Sequence, residues 1–292
     1  MIITGLTGQQ ANRLNRFRTY ASFVKLEHAV FSLPLVFAGA LLHTRGAWPG
    51  WRIVLLLVAA AVGARTMAMG LNRLIDHKID ARNPRTKGRE LPRGAMRRGE
   101  AWAVVLVAGI VYGASAWAID PFCFQLAPVP VALFVVYPYL KRVTSLSHVG
   151  LGLAWSMGPL AGWVAAARSF AQFDEVLWLW LFSWLWVAGF DIIYATMDEA
   201  FDREAGLHSL PVELGKRKAL QVAANFHAIA FLCLHMLRLI YLNTPAASAF
   251  LVAVGVLLVW QHAVAERKPE FAFFQLNGVL GFLVLGFVLA GF

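Results

Sequence analysis

Long apolar runs recur along almost the whole chain, and they constrain the fold more than any other feature of the sequence. A helix needs roughly 20 residues to cross a hydrocarbon core about 30 Å thick, and the runs have about that length. The chain of 292 residues is 59% hydrophobic, with a mean hydropathy of +0.63. Since backbone polar groups must be satisfied internally in lipid, such runs predict helices. The sequence therefore predicts an all-α, polytopic membrane protein.

About nine transmembrane helices are expected, in one bundle around a polar cavity. Few residues remain for a soluble domain, so we expect a cytoplasmic N-terminal segment over residues 1–19 and a single transmembrane domain over residues 20–292. The expected spans cover residues 20–42, 51–75, 101–119, 122–140, 147–167, 175–197, 218–242, 246–264 and 271–291.

The net charge of +10 could indicate a nucleic-acid partner, but the placement of the basic residues argues against one. They lie in the connections between apolar runs, where the positive-inside rule accounts for them. With the N-terminus inside, most of them fall on the cytoplasmic side, including those of the loop 78–98. We therefore expect membrane lipid as a partner and no nucleic acid, and we expect a bacterial cytoplasmic membrane with the active site on its cytoplasmic side.

Polar residues form a stripe along the end of the second span. At 100° per residue, Arg65, Asn72, Asp76 and Asp80 share about 80° of helix circumference. Charged groups near membrane depth are costly unless they line a cavity or pair with one another. The alternative is a helix that has already left the membrane and solvates Asp76 and Asp80. The depth of Arg65 and Asn72 favours a functional cavity.

A second stripe ends the sixth span. If that span stays helical, Asp191, Tyr194, Asp198 and Asp202 also share about 80° of one face. Two walls of carboxylates repel each other, and binding of a hard cation relieves that repulsion. Mg²⁺ takes oxygen ligands and commonly bridges protein carboxylates to substrate phosphates. The two stripes therefore predict a magnesium–diphosphate site.

Basic residues follow the second span and the fourth span, on the side of the membrane where both acidic stripes are expected. Arg85 and Arg89 come after the first stripe, while Lys141 and Arg142 end the fourth span. Arg and Lys around a leaving diphosphate offset the charge that develops as its ester bond breaks. The alternative for each of these residues is a charge that only orients the protein in the membrane.

Together the motifs resemble the UbiA family of intramembrane prenyltransferases. The stretch "NRLIDHKID" is similar to the family's first aspartate motif and "DIIYATMDEAFD" to its second. The loop "NPRTKGRELPRG" and the stretch "YPYLKR" are also similar to family segments, although Glu90 stands where the family often has proline. The resemblance extends from about residue 20 to residue 292.

The resemblance implies a Mg²⁺-dependent transfer of a prenyl group from a polyprenyl diphosphate to an aromatic acceptor. By that resemblance, Asp191, Tyr194 and Lys141 are candidate catalytic residues. The diphosphate would be held by basic residues, namely Arg85, Arg89, Lys141 and Arg142. The metal would be held by Asn72, Asp76, Asp80, Asp198 and Asp202.

The acceptor is expected to be a small aromatic acid bound by Arg65 and Lys25, because Arg recognises carboxylates through paired hydrogen bonds. A Lys25 side chain that snorkels to the interface is the alternative. The start "KLEH…LP" resembles family members that use 4-hydroxybenzoate in quinone biosynthesis. It equally resembles those of the futalosine menaquinone pathway, which prenylate 1,4-dihydroxy-6-naphthoate.

Two other classes of membrane protein also carry acidic residues on membrane helices. A secondary transporter also has intramembrane acids, but these usually lie near the midplane on broken helices, whereas here they gather at one end. A phosphoalcohol transferase would carry one clustered Asp-Gly motif rather than two separate ones. The sequence favours the prenyltransferase over both.

Overall fold

The computed structural model describes residue 16, residues 18–25 and residues 29–292. This part of the chain is helical and contains no strand, so the expected fold class is confirmed. Eight of its helical spans are long and apolar enough to cross a membrane. Most of the expected N-terminal segment, together with Glu27 and His28 of the first span, lies outside the described residues.

The helices follow one another with short connections. In chain order they are α1 (Ala29–His43), α2 (Trp51–Ile75), α3 (His77–Arg82), α4 (Arg98–Ile119), α5 (Pro121–Leu126), α6 (Pro128–Leu140), α7 (Ser147–Ala167), α8 (Asp174–Ala195), α9 (Glu199–Glu204), α10 (Leu210–Leu214), α11 (Lys216–Ile240), α12 (Pro245–Ala265), α13 (Pro269–Phe271) and α14 (Asn277–Leu289). A π-helical turn over Ala272–Leu276 joins the last two, and α5 and α6 together form one span.

The first expected span is not one continuous helix. A helical segment over residues 18–24 ends at Lys25, whose φ of 51° lies in the left-handed region. An L-residue in that region does not continue a right-handed helix. The apolar part of α1, Ser32–His43, is shorter than the other spans. The prediction of unbroken helix over residues 20–42 is therefore wrong at Lys25.

Both acidic motifs interrupt a helix at corresponding places. Asp76 separates α2 from α3 with φ −92° and ψ 4°, and Asp198 precedes α9 with φ −104° and ψ 1°. Each aspartate thus stands between a long span and a helix of six residues. The continuous helices assumed for the two stripes are wrong at these points, because neither aspartate has helical dihedrals. The two motifs therefore interrupt their helices with matched backbone geometry.

Helices α1 and α7 cross with their backbones in contact. A Cβ atom at Gly39 would lie 1.9 Å from the carbonyl oxygen of Pro159, and one at Gly162 would lie 1.9 Å from that of Val36. Small residues permit this approach between membrane helices. The crossing fixes α1, and with it Ser32, against the rest of the bundle.

A buried amide network stabilises the π-helical turn. The side-chain oxygen of Asn277 accepts hydrogen bonds from Trp186 Nε1 at 3.1 Å and from Gln261 Nε2 at 2.9 Å. Gln261 Nε2 also donates to the carbonyl of Ala272 at 2.9 Å. π-Helical turns are rare and often lie at functional sites. This one places Phe273 and Phe274 in the wall of the central cavity.

Candidate active site

Both acidic motifs line one cavity of about 450 Å³ within the bundle. Polar and charged side chains from α3, α9 and the loops that follow them surround one end. The other end is apolar and reaches Val36 and Leu57. The expected polar cavity is therefore present, and it continues into an apolar region.

Asp76 anchors the first wall of the cavity. It is buried, and its carboxylate accepts hydrogen bonds from Lys141 Nζ at 2.6 Å and from Arg142 at 3.2 Å. Arg142 also donates to the carbonyl of Ile75 at 2.9 Å, so it fixes the end of α2. Two cations on one buried carboxylate offset the cost of its burial. Arg142 alone among the sequence-predicted site residues does not line the cavity.

Asp80 is the second buried carboxylate of this wall. Arg89 donates from one nitrogen to both of its oxygens, at 2.9 and 2.8 Å. Thr86 Oγ1 donates to the backbone carbonyl of Asp80 at 3.0 Å. The loop after α3 therefore folds back so that its arginine covers the aspartate nine residues earlier in the chain.

The same loop reaches across the cavity to the second motif. Arg85 donates from Nε to Asp198 Oδ1 at 2.9 Å and forms further short contacts with Asp198 Oδ2 and the Tyr194 hydroxyl. Its guanidinium carbon lies 4.6 Å from the centre of the Tyr194 ring. Asn83 donates to Asp198 at 3.0 Å. These contacts join the two motifs, which are more than 100 residues apart in the sequence.

Asp198 and Asp202, the last two carboxylates of the second motif, have different electrostatic environments. Burial raises the pKa of Asp198, but hydrogen bonds from Arg85 and Asn83 outweigh it, so the pKa lies below its ordinary value. Burial and the charge of Asp198 together raise the pKa of Asp202 to about 6. No described cation forms an ion pair with Asp202. A bound cation would therefore stabilise the charged form of Asp202 more than that of Asp198.

The donors suit a magnesium ion in kind. Carboxylate and amide oxygens from Asn72, Asp76, Asp80, Asp198 and Asp202 line the cavity. Among the described residues, no three His, Cys, Asp or Glu side chains converge closely enough to hold a metal by themselves. Mg²⁺ usually takes one or two carboxylates and completes its shell with water and substrate phosphate. The residues present fit such an ion when it is bound together with a diphosphate.

Arg65 lies deeper in the cavity than the aspartates, as the sequence predicts. It donates to Ser32 Oγ at 3.2 Å, and its guanidinium carbon lies 5.3 Å from the centre of the Trp155 ring. Lys25 and Tyr137 line the same cavity. One cavity thus combines an acidic end with a cationic, aromatic interior.

Asp191 has a partner that the sequence does not reveal. His148, at the start of α7, approaches Asp191 Oδ2 with Nδ1 at 2.7 Å. Asn83, Phe273 and Phe274 are further cavity residues that sequence reasoning missed. The available signals were a single histidine opening an apolar span and an asparagine beside the basic loop. Neither has a spacing that distinguishes it from an ordinary interface residue.

Known proteins are similar to this chain along most of its length. The model of the UbiA prenyltransferase family matches residues 32–289. The chain is similar to 4-hydroxybenzoate octaprenyltransferase of Shewanella denitrificans, with 28% identity over 90% of this chain and 88% of the relative. It is also similar to the enzyme of that name from Vibrio vulnificus, with 28% identity over 95% of this chain and 99% of the relative.

Solved structures of UbiA homologues have the same fold as this chain. The apo structure of a UbiA homologue from Aeropyrum pernix has a TM-score of 0.82 and 34% identity, covering 88% of this chain and 95% of that one. A UbiA homologue from Archaeoglobus fulgidus, bound to GPP and Mg²⁺, has a TM-score of 0.69 and 18% identity, covering 94% and 100%. The latter shows the shared fold. The expectation of a membrane-embedded prenyltransferase rather than a transporter is confirmed, and the chain belongs to the UbiA prenyltransferase family.

Proposed function

We propose that this protein transfers a polyprenyl group from a polyprenyl diphosphate to 4-hydroxybenzoate in a Mg²⁺-dependent reaction of quinone biosynthesis. The observation that carries the proposal is the single cavity that joins the two aspartate motifs to Arg65. An anionic end suits a magnesium–diphosphate, and a buried cation suits a carboxylated aromatic ring. The names of the relatives from Shewanella and Vibrio support this acceptor.

The diphosphate would lie between the two aspartate walls. Asp76, Asp80, Asp198 and Asp202, with Asn72, would hold the metal. A bound Mg²⁺ supplies charge neutralisation for the diphosphate as its ester bond breaks. That an Archaeoglobus relative of the same fold binds GPP and Mg²⁺ supports this assignment.

The basic residues around these carboxylates would bind the leaving group. Arg85, Arg89 and Lys141 each pair with one aspartate in the described structure. When metal and diphosphate enter, these cations can exchange their carboxylate partners for phosphate oxygens, because they already line the cavity. Arg142 would act through Asp76, since it lies outside the cavity lining.

The prenyl chain needs an apolar region next to the allylic carbon. The cavity offers one between α2 and α7, where small side chains of α2 such as Ala60, Ala61 and Ala64 line its wall. Burying each CH₂ contributes about 0.8 kcal/mol, so a long chain adds substantially to substrate affinity. Phe134 and Tyr112 continue this apolar wall.

The acceptor would lie beside Arg65. Its guanidinium has fork geometry for a carboxylate, and Trp155 gives an apolar surface for a ring. Lys25 adds a second cation at the cavity wall. We place this site in the bacterial cytoplasmic membrane with the diphosphate end toward the cytoplasm, because the basic loops surround that end.

A product assay with purified protein tests the proposal. The protein, in detergent or lipid nanodiscs, is supplied with Mg²⁺, geranyl diphosphate or a longer homologue, and equal concentrations of 4-hydroxybenzoate and 1,4-dihydroxy-6-naphthoate. We expect diphosphate release and prenylated 4-hydroxybenzoate as the main product. Prenylated naphthoate as the main product would assign the acceptor to the futalosine pathway instead.

Matched variants test whether diphosphate release depends on the two aspartate motifs or is background hydrolysis. Asp76→Asn and Asp198→Asn keep side-chain size but remove the charge of each wall, and we expect both to abolish diphosphate release. Glu199→Gln is the control, because Glu199 pairs with Arg203 at 3.1 Å outside the cavity. Full activity in either aspartate variant, or no product with any phenolic acid, would disprove the proposed function.

A further inference from the structure

His148 is a buried histidine in the cavity wall with both ring nitrogens engaged. It is only 3% exposed. Nδ1 lies 2.7 Å from Asp191 Oδ2, and the backbone amide of Leu210 points at Nε2 from 3.4 Å. Leu210 begins α10, in the loop after the second aspartate motif. The imidazole therefore joins three separate elements, α7, α8 and α10.

These contacts fix the tautomer of His148. A backbone N–H can only donate, so Nε2 must accept and cannot carry the proton of a neutral ring. The proton is then on Nδ1, and it is donated to Asp191. One oxygen of Asp191 is thereby held in place, whereas Oδ1 receives no hydrogen bond from the described residues.

Asp191 stands apart from the proposed metal ligands. It belongs to α8, one turn before Tyr194, whereas Asp198 and Asp202 follow the end of that helix. Its side chain remains 20% exposed toward the cavity that also contains Arg65. A carboxylate there is near the space assigned to the aromatic acid. Its partner is a neutral histidine rather than Arg or Lys, and its second oxygen is left to face the acceptor.

We infer that His148 is a positioning residue that holds Asp191 as the base removing the ring proton of the aromatic acceptor. This inference rests on the proposed function. The bond between the allylic carbon and the diphosphate oxygen breaks, and its electron pair leaves with diphosphate. The ring carbon beside the hydroxyl then bonds to the allylic carbon. The proton on that ring carbon passes to Asp191 Oδ1, the ring regains its aromatic electrons, and the carboxyl later returns the proton to water.

An isosteric pair of variants tests the role of His148. In His148→Asn the amide nitrogen occupies the place of Nδ1 and can still donate to Asp191, whereas His148→Leu has nearly the same shape without a donor. Both lose the acceptor for the Leu210 amide, so any instability from that loss is shared. We expect His148→Leu to lower kcat about tenfold to a hundredfold, since base catalysis contributes about 10²–10⁴-fold, with little change in KM. His148→Asn should recover most of that loss.

Ring-deuterated acceptor shows which step is slowed. Deuterium beside the hydroxyl of 4-hydroxybenzoate should give a larger kinetic isotope effect in His148→Leu than in the unchanged protein, because proton removal becomes rate-limiting. Asp191→Asn serves as the second variant, and it should still ionise the substrate. That ionisation is measured as ¹⁸O exchange between bridging and non-bridging positions of recovered geranyl diphosphate.

The outcomes separate this inference from the proposed function. If the unchanged protein makes no product, the proposed function is wrong. If it makes product but the Asn and Leu variants are equally slow, or neither is slow, the hydrogen bond to Asp191 does not matter and the inference is wrong. The same holds if Asp191→Asn loses ¹⁸O exchange together with product, because Asp191 would then act in ionisation.

Discussion

The guanidinium of Arg73 and the carboxylate of Glu90 form an ion pair that is almost completely buried, with side-chain exposures of 4% and 6%. Ser22 Oγ donates to the other carboxylate oxygen at 2.6 Å, and Arg73 also reaches the backbone carbonyl of Ser22. The pair joins α2, the basic loop and the N-terminal helical segment. It also accounts for the glutamate that stands where the resemblance expected proline.

Breaking this pair should destabilise the protein strongly. Removal of one partner of a buried pair typically costs about 3–5 kcal/mol, because a charge is left buried alone. We expect Glu90→Gln and Arg73→Met each to lower the midpoint of thermal unfolding in detergent. The double variant should be less destabilised than the sum of the two. Strictly additive effects would show that the two groups do not interact.

The stabilisation from Glu90 should also depend on pH. Burial raises its pKa, but the hydrogen bond from Ser22 and the charge of Arg73 lower it by more, so the folded-state pKa lies below the ordinary value of 4.5. The stabilisation is therefore present above pH 4.5 and is lost as the pH falls through the folded-state pKa. Unfolding midpoints of the unchanged protein and Glu90→Gln should converge at acidic pH.

Magnesium affinity should fall in mildly acidic solution. The pKa of Asp202 is raised to about 6 by burial and by Asp198, and a proton on a carboxylate competes with a metal ion. The half-saturating Mg²⁺ concentration for diphosphate release should rise as the pH falls below about 6. In Asp202→Asn this part of the pH dependence should disappear. An unchanged dependence in that variant would exclude Asp202 as the titrating ligand.

Arg65 should determine the affinity for the acid and not for the diphosphate. A hydrogen bond to a charged group contributes about 1.5–3 kcal/mol, so Arg65→Met should raise KM for 4-hydroxybenzoate about tenfold to a hundredfold. KM for geranyl diphosphate should not change. The methyl ester of the acid is the control substrate, because without a carboxylate it should lose little in the variant. Equal losses for acid and ester would contradict the assignment.

Gly39 should not tolerate even a methyl group. The Cβ of Gly39→Ala would lie 1.9 Å from the Pro159 carbonyl oxygen, so α1 would have to move from α7 and carry Ser32 away from Arg65. We expect a lower unfolding midpoint and a raised KM for the acid. Gly99→Ala is the control, since nothing lies within 4 Å of its Cβ position. Equal behaviour of the two variants would show that the crossing is not tight.

Local periodicity in the sequence predicted the eight spans found in the described residues and the polar cavity that the aspartates of both motifs line. It did so even though the helix breaks at Asp76, because a single non-helical residue leaves Asp80 facing the same cavity. Pairs between distant elements could not be predicted. Arg73 and Glu90 are 17 residues apart, and His148 and Asp191 are 43 apart. Such pairs depend on how the helices pack against one another. Helix packing leaves no fixed residue spacing that could be recognised in a single sequence.

The π-helical turn at Ala272–Leu276 has a consequence for how the cavity wall can change. A π-helical turn holds about one residue more than an α-helical turn, so removing a residue there would close the bulge while both flanks kept their orientation. Asn277, after the turn, is held by Trp186 and Gln261, and the carbonyl of Ala272, at its start, is held by Gln261. The change would therefore fall on the residues between them, among them Phe273, which stacks on Tyr194 with ring centres 4.1 Å apart. A single-residue deletion would thus reshape the aromatic wall while the membrane-crossing part of α14 kept its position.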